Sequence, residues 1–107
     1  MDLSLLFRLP SGLRLLKATA LPGALCVEAL ACRRASPCPQ CQMPSEHVHS
    51  SYPRTLAELP CVGRRVFVRV HARKFRCANA SCPQRVFIER FPGYVRPWAR
   101  KTLRVGV

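Results

Sequence analysis

A chain of 107 residues has room for one small core and is too short for several domains. Its hydrophobic fraction of 49% and mean hydropathy of +0.01 exclude a disordered tail. Eighteen Lys and Arg against five Asp and Glu, a formal net charge of +13, point to a polyanionic partner, nucleic acid before an anionic membrane surface.

Fifteen of the 18 cations are Arg, whose planar donor fork suits phosphates and guanine edges better than Lys does. The opening segment Met1 to Phe7 is apolar but contains Asp2 and is soon interrupted by Arg8, Arg14 and Lys17. It makes a poor signal peptide, and no run approaches the roughly 18 apolar residues of a membrane span. A reducing compartment is expected, where paired cysteines read as metal ligands before disulfides.

In chain order, residues 1–12 form a lead-in that ends at the breaker Leu9-Pro10-Ser11-Gly12. Residues 13–17 and 24–31 are apolar-rich stretches separated by Leu21-Pro22-Gly23, which predicts a hairpin. In the second stretch Leu25, Val27, Ala29 and Ala31 share one face, with Cys26, Glu28 and Leu30 on the other. Glu46 to Tyr52 is read as a short polar strand, and Pro53 and Pro60 bracket an irregular link. Val66 to Arg76 is the clearest strand. Val66, Val68, Val70 and Ala72 alternate with Phe67, Arg69, His71, Arg73 and Phe75, predicting a half-buried strand with a basic, partly aromatic outer face. A short strand follows at Val86 to Ile88. Beyond Phe91-Pro92-Gly93, the run from Arg96 to Arg104 is read as the opening of a helix with Pro97 in its first turn.

Seven cysteines are present, and four of them form two close pairs, Cys38/Cys41 and Cys77/Cys82, with 35 residues between the pairs. Each pair lies in a turn beside a predicted strand. Two such turns facing each other supply the tetrahedral thiolate cage that zinc prefers, and four ligands leave no open position, so one structural Zn2+ is expected. Holding zinc on four thiolates would leave the chain at about +11. A redox role for Cys38/Cys41 lacks the βαβ surroundings of a thioredoxin, and an iron–sulfur cluster is an alternative that four cysteines alone do not exclude. Cys26, Cys32 and Cys61 are read as packed thiols, with Cys32 near enough to Cys38 to act as a substitute ligand. His47, His49 and His71 are read as surface or phosphate-contacting groups.

The fold expected is therefore a small mainly-β zinc ribbon of antiparallel strands with an N-terminal β-hairpin and the start of a C-terminal helix. Its parts are the lead-in over 1–12, the hairpin packed on the ribbon over 13–35, the ribbon over 36–92, and a truncated helical segment over 93–107.

Several words in the chain are shared with one group of proteins. They are Cys38-Pro39-x-Cys41, then His49-Ser50-x-Tyr52-x-Arg54-Thr55-Leu56-x-x-Leu59-Pro60, then Arg73-Lys74-Phe75-Arg76-Cys77-x-Asn79-x-x-Cys82, and Phe87-x-Glu89-Arg90. Together they resemble the amino-terminal zinc ribbon of bacterial insertion-sequence transposases of the "ISL-three" family, over roughly residues 12–104. The resemblance implies a module that binds the double-stranded DNA of the element's terminal inverted repeats, in the bacterial cytoplasm and associated with the nucleoid. In that family a helix-turn-helix and a long catalytic domain with an Asp-Asp-Glu metal site follow. Gln42 departs from the pattern, standing where the first zinc turn usually has Gly.

The acids here are Asp2, Glu28, Glu46, Glu58 and Glu89, scattered among cations. Two-metal phosphoryl chemistry needs clustered carboxylates, so no catalytic residue and no enzyme activity is expected of this polypeptide. Glu58 and Glu89 are read as partners that pin basic neighbours. Phosphate contacts are expected from Arg64, Arg65, Arg69, Arg73, Lys74 and Arg76 on the central strand. Arg96, Arg100, Lys101 and Arg104 extend the patch. Two further readings are kept: a protein-interaction module that associates with a full-length transposase through exposed aromatics, and a non-specific binder of single-stranded nucleic acid.

Overall fold

The computed structural model describes residues 9–61, 63–103 and 105. Seven strands follow in order: β1 (Leu13–Leu21), β2 (Ala24–Ala31), β3 (Ser36–Pro37), β4 (Pro44–Ser45), β5 (Val48–Cys61), β6 (Arg64–Arg76) and β7 (Val86–Ile88). The main sheet runs β1-β2-β6-β5, and β7 also pairs with β6; β3 and β4 make a separate two-stranded ladder.

The first hairpin forms as its sequence predicts. Pro22 presets its own φ, Gly23 takes a φ of +72° that a β-carbon would oppose, and Leu21 pairs with Ala24 across the turn. Val27, Ala29 and Ala31 are buried along one face of β2. How the hairpin joins the rest departs from an all-antiparallel ribbon, because β2 runs parallel to β6 from Ala24↔Arg65 to Leu30↔His71. A parallel pair needs a long crossover. Here the segment from residue 32 to 63 provides it, carrying the first cysteine turn outward and β5 back.

The expected break between Pro53 and Pro60 does not occur. β5 is one 14-residue strand through both prolines, in antiparallel register with β6. Among the described residues it pairs with no strand other than β6, so it is an edge, where a residue without an N–H is tolerated.

The helix expected from Arg96 is also absent among the described residues; residues 92–103 form turns and one isolated bridge from Lys101 to Ala57. The carbonyls a helix would need are taken by β5. Arg54 Nη2 donates to the carbonyl oxygens of Arg96 (2.9 Å) and Ala99 (2.7 Å), and the Ala57 N–H to that of Arg100 (2.9 Å). Trp98 sits at φ +66°, outside the right-handed helical region. Thr102 donates through its N–H to Ala57 and through its hydroxyl to Glu58. Glu58 also accepts from the Tyr94 hydroxyl at 3.0 Å. This segment lays Phe91, Tyr94 and Val95 over the face of Val66, Val68, Val70 and Leu56 to close the main core.

β6 changes the face it buries. Val66, Val68, Val70 and Ala72 point into the main core, but Phe75 has the opposite parity and is fully buried in a second cluster with Cys38, Cys82 and Phe87. Beside β6, the place of β2 is taken at this end by β7, with Phe75 opposite Phe87 and their rings stacked at 5.8 Å.

Candidate metal centre and basic surface

The two cysteine turns meet at the Phe75 end of β6. In the first, β3 delivers Cys38, and the turn closes through the Gln42 N–H to the Cys38 carbonyl (2.8 Å) and the Cys38 N–H to that of Met43 (3.1 Å). In the second, Cys77 leaves β6 with its N–H on the Arg85 carbonyl (2.8 Å), and the Asn79 side chain accepts from the Ser81 N–H (3.0 Å). Buried Ser45 ties the turns together, its hydroxyl donating to the Arg76 carbonyl and accepting from the His47 N–H.

The result is a group of four sulfurs, Cys38, Cys41, Cys77 and Cys82, all within 4.8 Å of one another. Cys38 and Cys82 sulfurs lie 3.9 Å apart and those of Cys41 and Cys77 3.6 Å. Tetrahedral coordination at a zinc–sulfur bond of about 2.3 Å requires about 3.8 Å between ligands, and a disulfide about 2.0 Å. The separations therefore fit four thiolates around one ion. A multi-iron cluster needs its cysteines wider apart.

Backbone N–H groups point at the sulfurs. That of Met43 draws the Cys41 thiol down to about 7. For Cys77 the Asn79 N–H acts in the same direction, but burial and the facing sulfurs outweigh it and push the thiol up to about 12. Burial likewise raises Cys82. Four thiolates packed this closely need a cation between them, and zinc, when bound, supplies that charge and cross-links the two turns. With four protein ligands the centre is closed, so its role is structural.

Gln42 adopts φ +67°, the left-handed conformation that glycine takes most easily. Cys26 is half-buried and Cys32 exposed; both are free thiols outside the sulfur group, so Cys32 does not act as a ligand in this arrangement. The Cys61 side chain lies outside the described residues. His47 and His49 are exposed, whereas His71 faces Glu28 at 3.6 Å.

The basic residues separate into different environments. Arg64, Arg65, Arg69 and Arg76 are exposed along β6. Arg73 is turned inward: it pairs with Glu89, itself 1% exposed, at 2.9 Å, stacks over Phe75, and donates to the Arg33 carbonyl. Lys74 is half-buried, with its ammonium 5.7 Å from the Tyr52 ring centroid. Arg96, Arg100 and Lys101 are exposed on the C-terminal segment, and Arg104 lies outside the described residues. The described acids are all engaged, Glu28 with Lys17 and His71, Glu46 with Arg34, Glu58 with two hydroxyls, and Glu89 with Arg73. Among the aromatics, Phe75, Phe87, Phe91 and Tyr94 are core, and Phe67 and Trp98 are exposed.

Among the described residues no helix is long and apolar enough to cross a membrane. Residues 34–84 match the family described as the zinc-finger of transposase IS204/IS1001/IS1096/IS1165. No curated protein and no solved structure matches the chain. The matched segment begins just before the first cysteine turn, spans β5 and β6, and ends just after the second. Residues 34–84 are a zinc ribbon of this transposase family, with Cys38, Cys41, Cys77 and Cys82 as the zinc ligands.

Proposed function

We propose that this chain is a zinc-stabilised DNA-binding module that contacts the terminal inverted repeats of an insertion sequence. The observation that carries the reading is the set of exposed arginines on β6, Arg65 and Arg69 on its outer face with Arg64 and Arg76 at its two ends, on a ribbon of a transposase family. A strand of 13 residues is roughly 40 Å long, about one turn of duplex DNA. Cations thus lie at both ends of this element and on its outer face, where Arg65 and Arg69 would meet phosphates first. Arg96, Arg100 and Lys101 add charge on the C-terminal segment. Arg73 supports the surface from inside through Glu89 and is not assigned a phosphate.

The described acids each hold a neighbouring side chain, which supports a binding role over a chemical one. Cleavage and strand transfer fall to carboxylates elsewhere, in a full-length transposase that this module joins or assists at the nucleoid.

The test is binding of the zinc-loaded protein to a duplex carrying a candidate terminal repeat and to a scrambled duplex, over a salt series. About six neutralised phosphates predict a log–log slope near −5. Tighter binding to the repeat at moderate salt supports end recognition. A slope near zero removes the electrostatic basis, and co-purification with a full-length transposase at high salt without DNA would favour a protein-interaction module instead.

A further inference from the structure

Trp98 is placed against two ordinary preferences at once. It is the sole tryptophan of the chain and is 77% exposed, whereas the next most exposed large apolar side chain among the described residues, Val48, is at 50%. Its φ of +66° is a conformation that bulky side chains rarely adopt and that costs about 1–3 kcal/mol. The turn that imposes it is held from outside, by Arg54 on the carbonyls of Arg96 and Ala99. Arg54 is half-buried and the turn it braces packs Ala99 on the core, but the indole itself is lifted into solvent and adds nothing there.

The indole lines two adjacent depressions, which also share Ile88 and Arg90. One, of about 200 Å³, is mostly apolar and is walled by Tyr52, Phe91 and Val95, with Arg100 also lining it. That is smaller than the roughly 300–1,000 Å³ of sites for drug-sized ligands, and suits one ring system. Lys74 lines the other, and Arg90 and Arg100 are exposed and make no ion pair with described residues. An apolar, aromatic slot with cations around it is complementary to a base attached to phosphates. A base stacks on an indole only through its face, which a continuous duplex hides.

We infer that Trp98 is a stacking platform for one unpaired DNA nucleotide, with the base against the indole and its flanking phosphates on Arg90, Arg100 and Lys74. This rests on the DNA-binding reading above and adds a discrimination that the β6 arginines do not supply, between a continuous duplex and one with a base out of the stack.

The sole-tryptophan fluorescence reports on it directly. The zinc-loaded chain is titrated with a paired duplex and with the same duplex carrying one unpaired thymine. The bulged duplex is expected to quench Trp98 and to bind roughly 5- to 150-fold more tightly, the range for one base–aromatic stack. Trp98→Ala should abolish that preference while leaving paired-duplex affinity and zinc content unchanged, and Trp98→Phe should keep part of it. Equal binding of the two duplexes, or a preference that survives Trp98→Ala, overturns the inference. So does a fluorescence change that depends on protein concentration without DNA, which would assign the slot to a second copy of the chain. If both duplexes bind equally with steep salt dependence, the platform fails and the DNA-binding reading stands. If neither binds, both fail.

Discussion

The two ends of β6 are held by different means. Around Val66 to Ala72, twelve buried side chains from β1, β2, β5, β6 and the C-terminal segment form a continuous apolar cluster. Around Phe75 the buried cluster is four residues, two of them zinc ligands. The first end is stabilised by removing apolar area from water. The second has too little area for that, and the metal supplies the cross-link. What this teaches is that the ribbon and the sheet share a strand without sharing a source of stability.

The largest way to break the comparison is to remove the metal. Zinc binding to such sites contributes about 10–16 kcal/mol, much of it as folding free energy. Chelation, or Cys77→Ser, should abolish hydrogen-exchange protection over 36–47 and 77–88 while Val66 to Ala72 keep theirs. Simultaneous loss along all of β6 would show that the two ends form one cooperative unit. Cys32→Ser should leave zinc content unchanged.

The Arg73–Glu89 pair lies between the regions. Removing one member of a buried pair leaves an uncompensated charge and costs about 3–5 kcal/mol, so Glu89→Leu should lower the thermal midpoint steeply. Arg73→Met in the same chain should recover most of the loss, and failure of that rescue would mean that the Arg33 carbonyl contact matters more than the charge. A comparable but purely apolar change at the other end is Leu56→Ala, which should cost about 2–5 kcal/mol yet leave one zinc bound per chain at 25 °C. Zinc release by this variant would contradict the division. The smallest effect is a gain. Gln42→Gly relieves the left-handed conformation at the first cysteine turn and should stabilise the zinc-loaded form by about 1 kcal/mol in denaturant melts.

The parts of this protein that could be read from sequence were those set by local spacing. The cysteine pairs declare their chemistry through residue type and separation, and Val66, Val68, Val70 and Ala72 declare a buried strand face through period two. Phe75 has the parity of the outer face and nothing local sets it apart; that face becomes interior only because the cysteine turns fold over it. Pro53 and Pro60 hid the true length of β5, since a proline signals a break unless the strand is known to be an edge. The stretch from Arg96 has the local marks of a helix and loses them to Arg54, 42 residues earlier, whose grip on the Arg96 carbonyl no window-based reading contains. Arg73 looked like its exposed neighbours because its partner, Glu89, is 16 residues away.

A strand loaded on both faces behaves as a key cut along both edges. Sliding β6 by one residue against β5 would eject Val66, Val68 and Val70 from one cluster and Phe75 from the other in the same movement. A single insertion between Ala72 and Phe75 would leave each cluster's own composition intact but turn the metal end over relative to the sheet. The orientation of the zinc ribbon is thus encoded in the spacing from Ala72, the last side chain buried in one cluster, to Phe75, the first apolar side chain of β6 buried in the other.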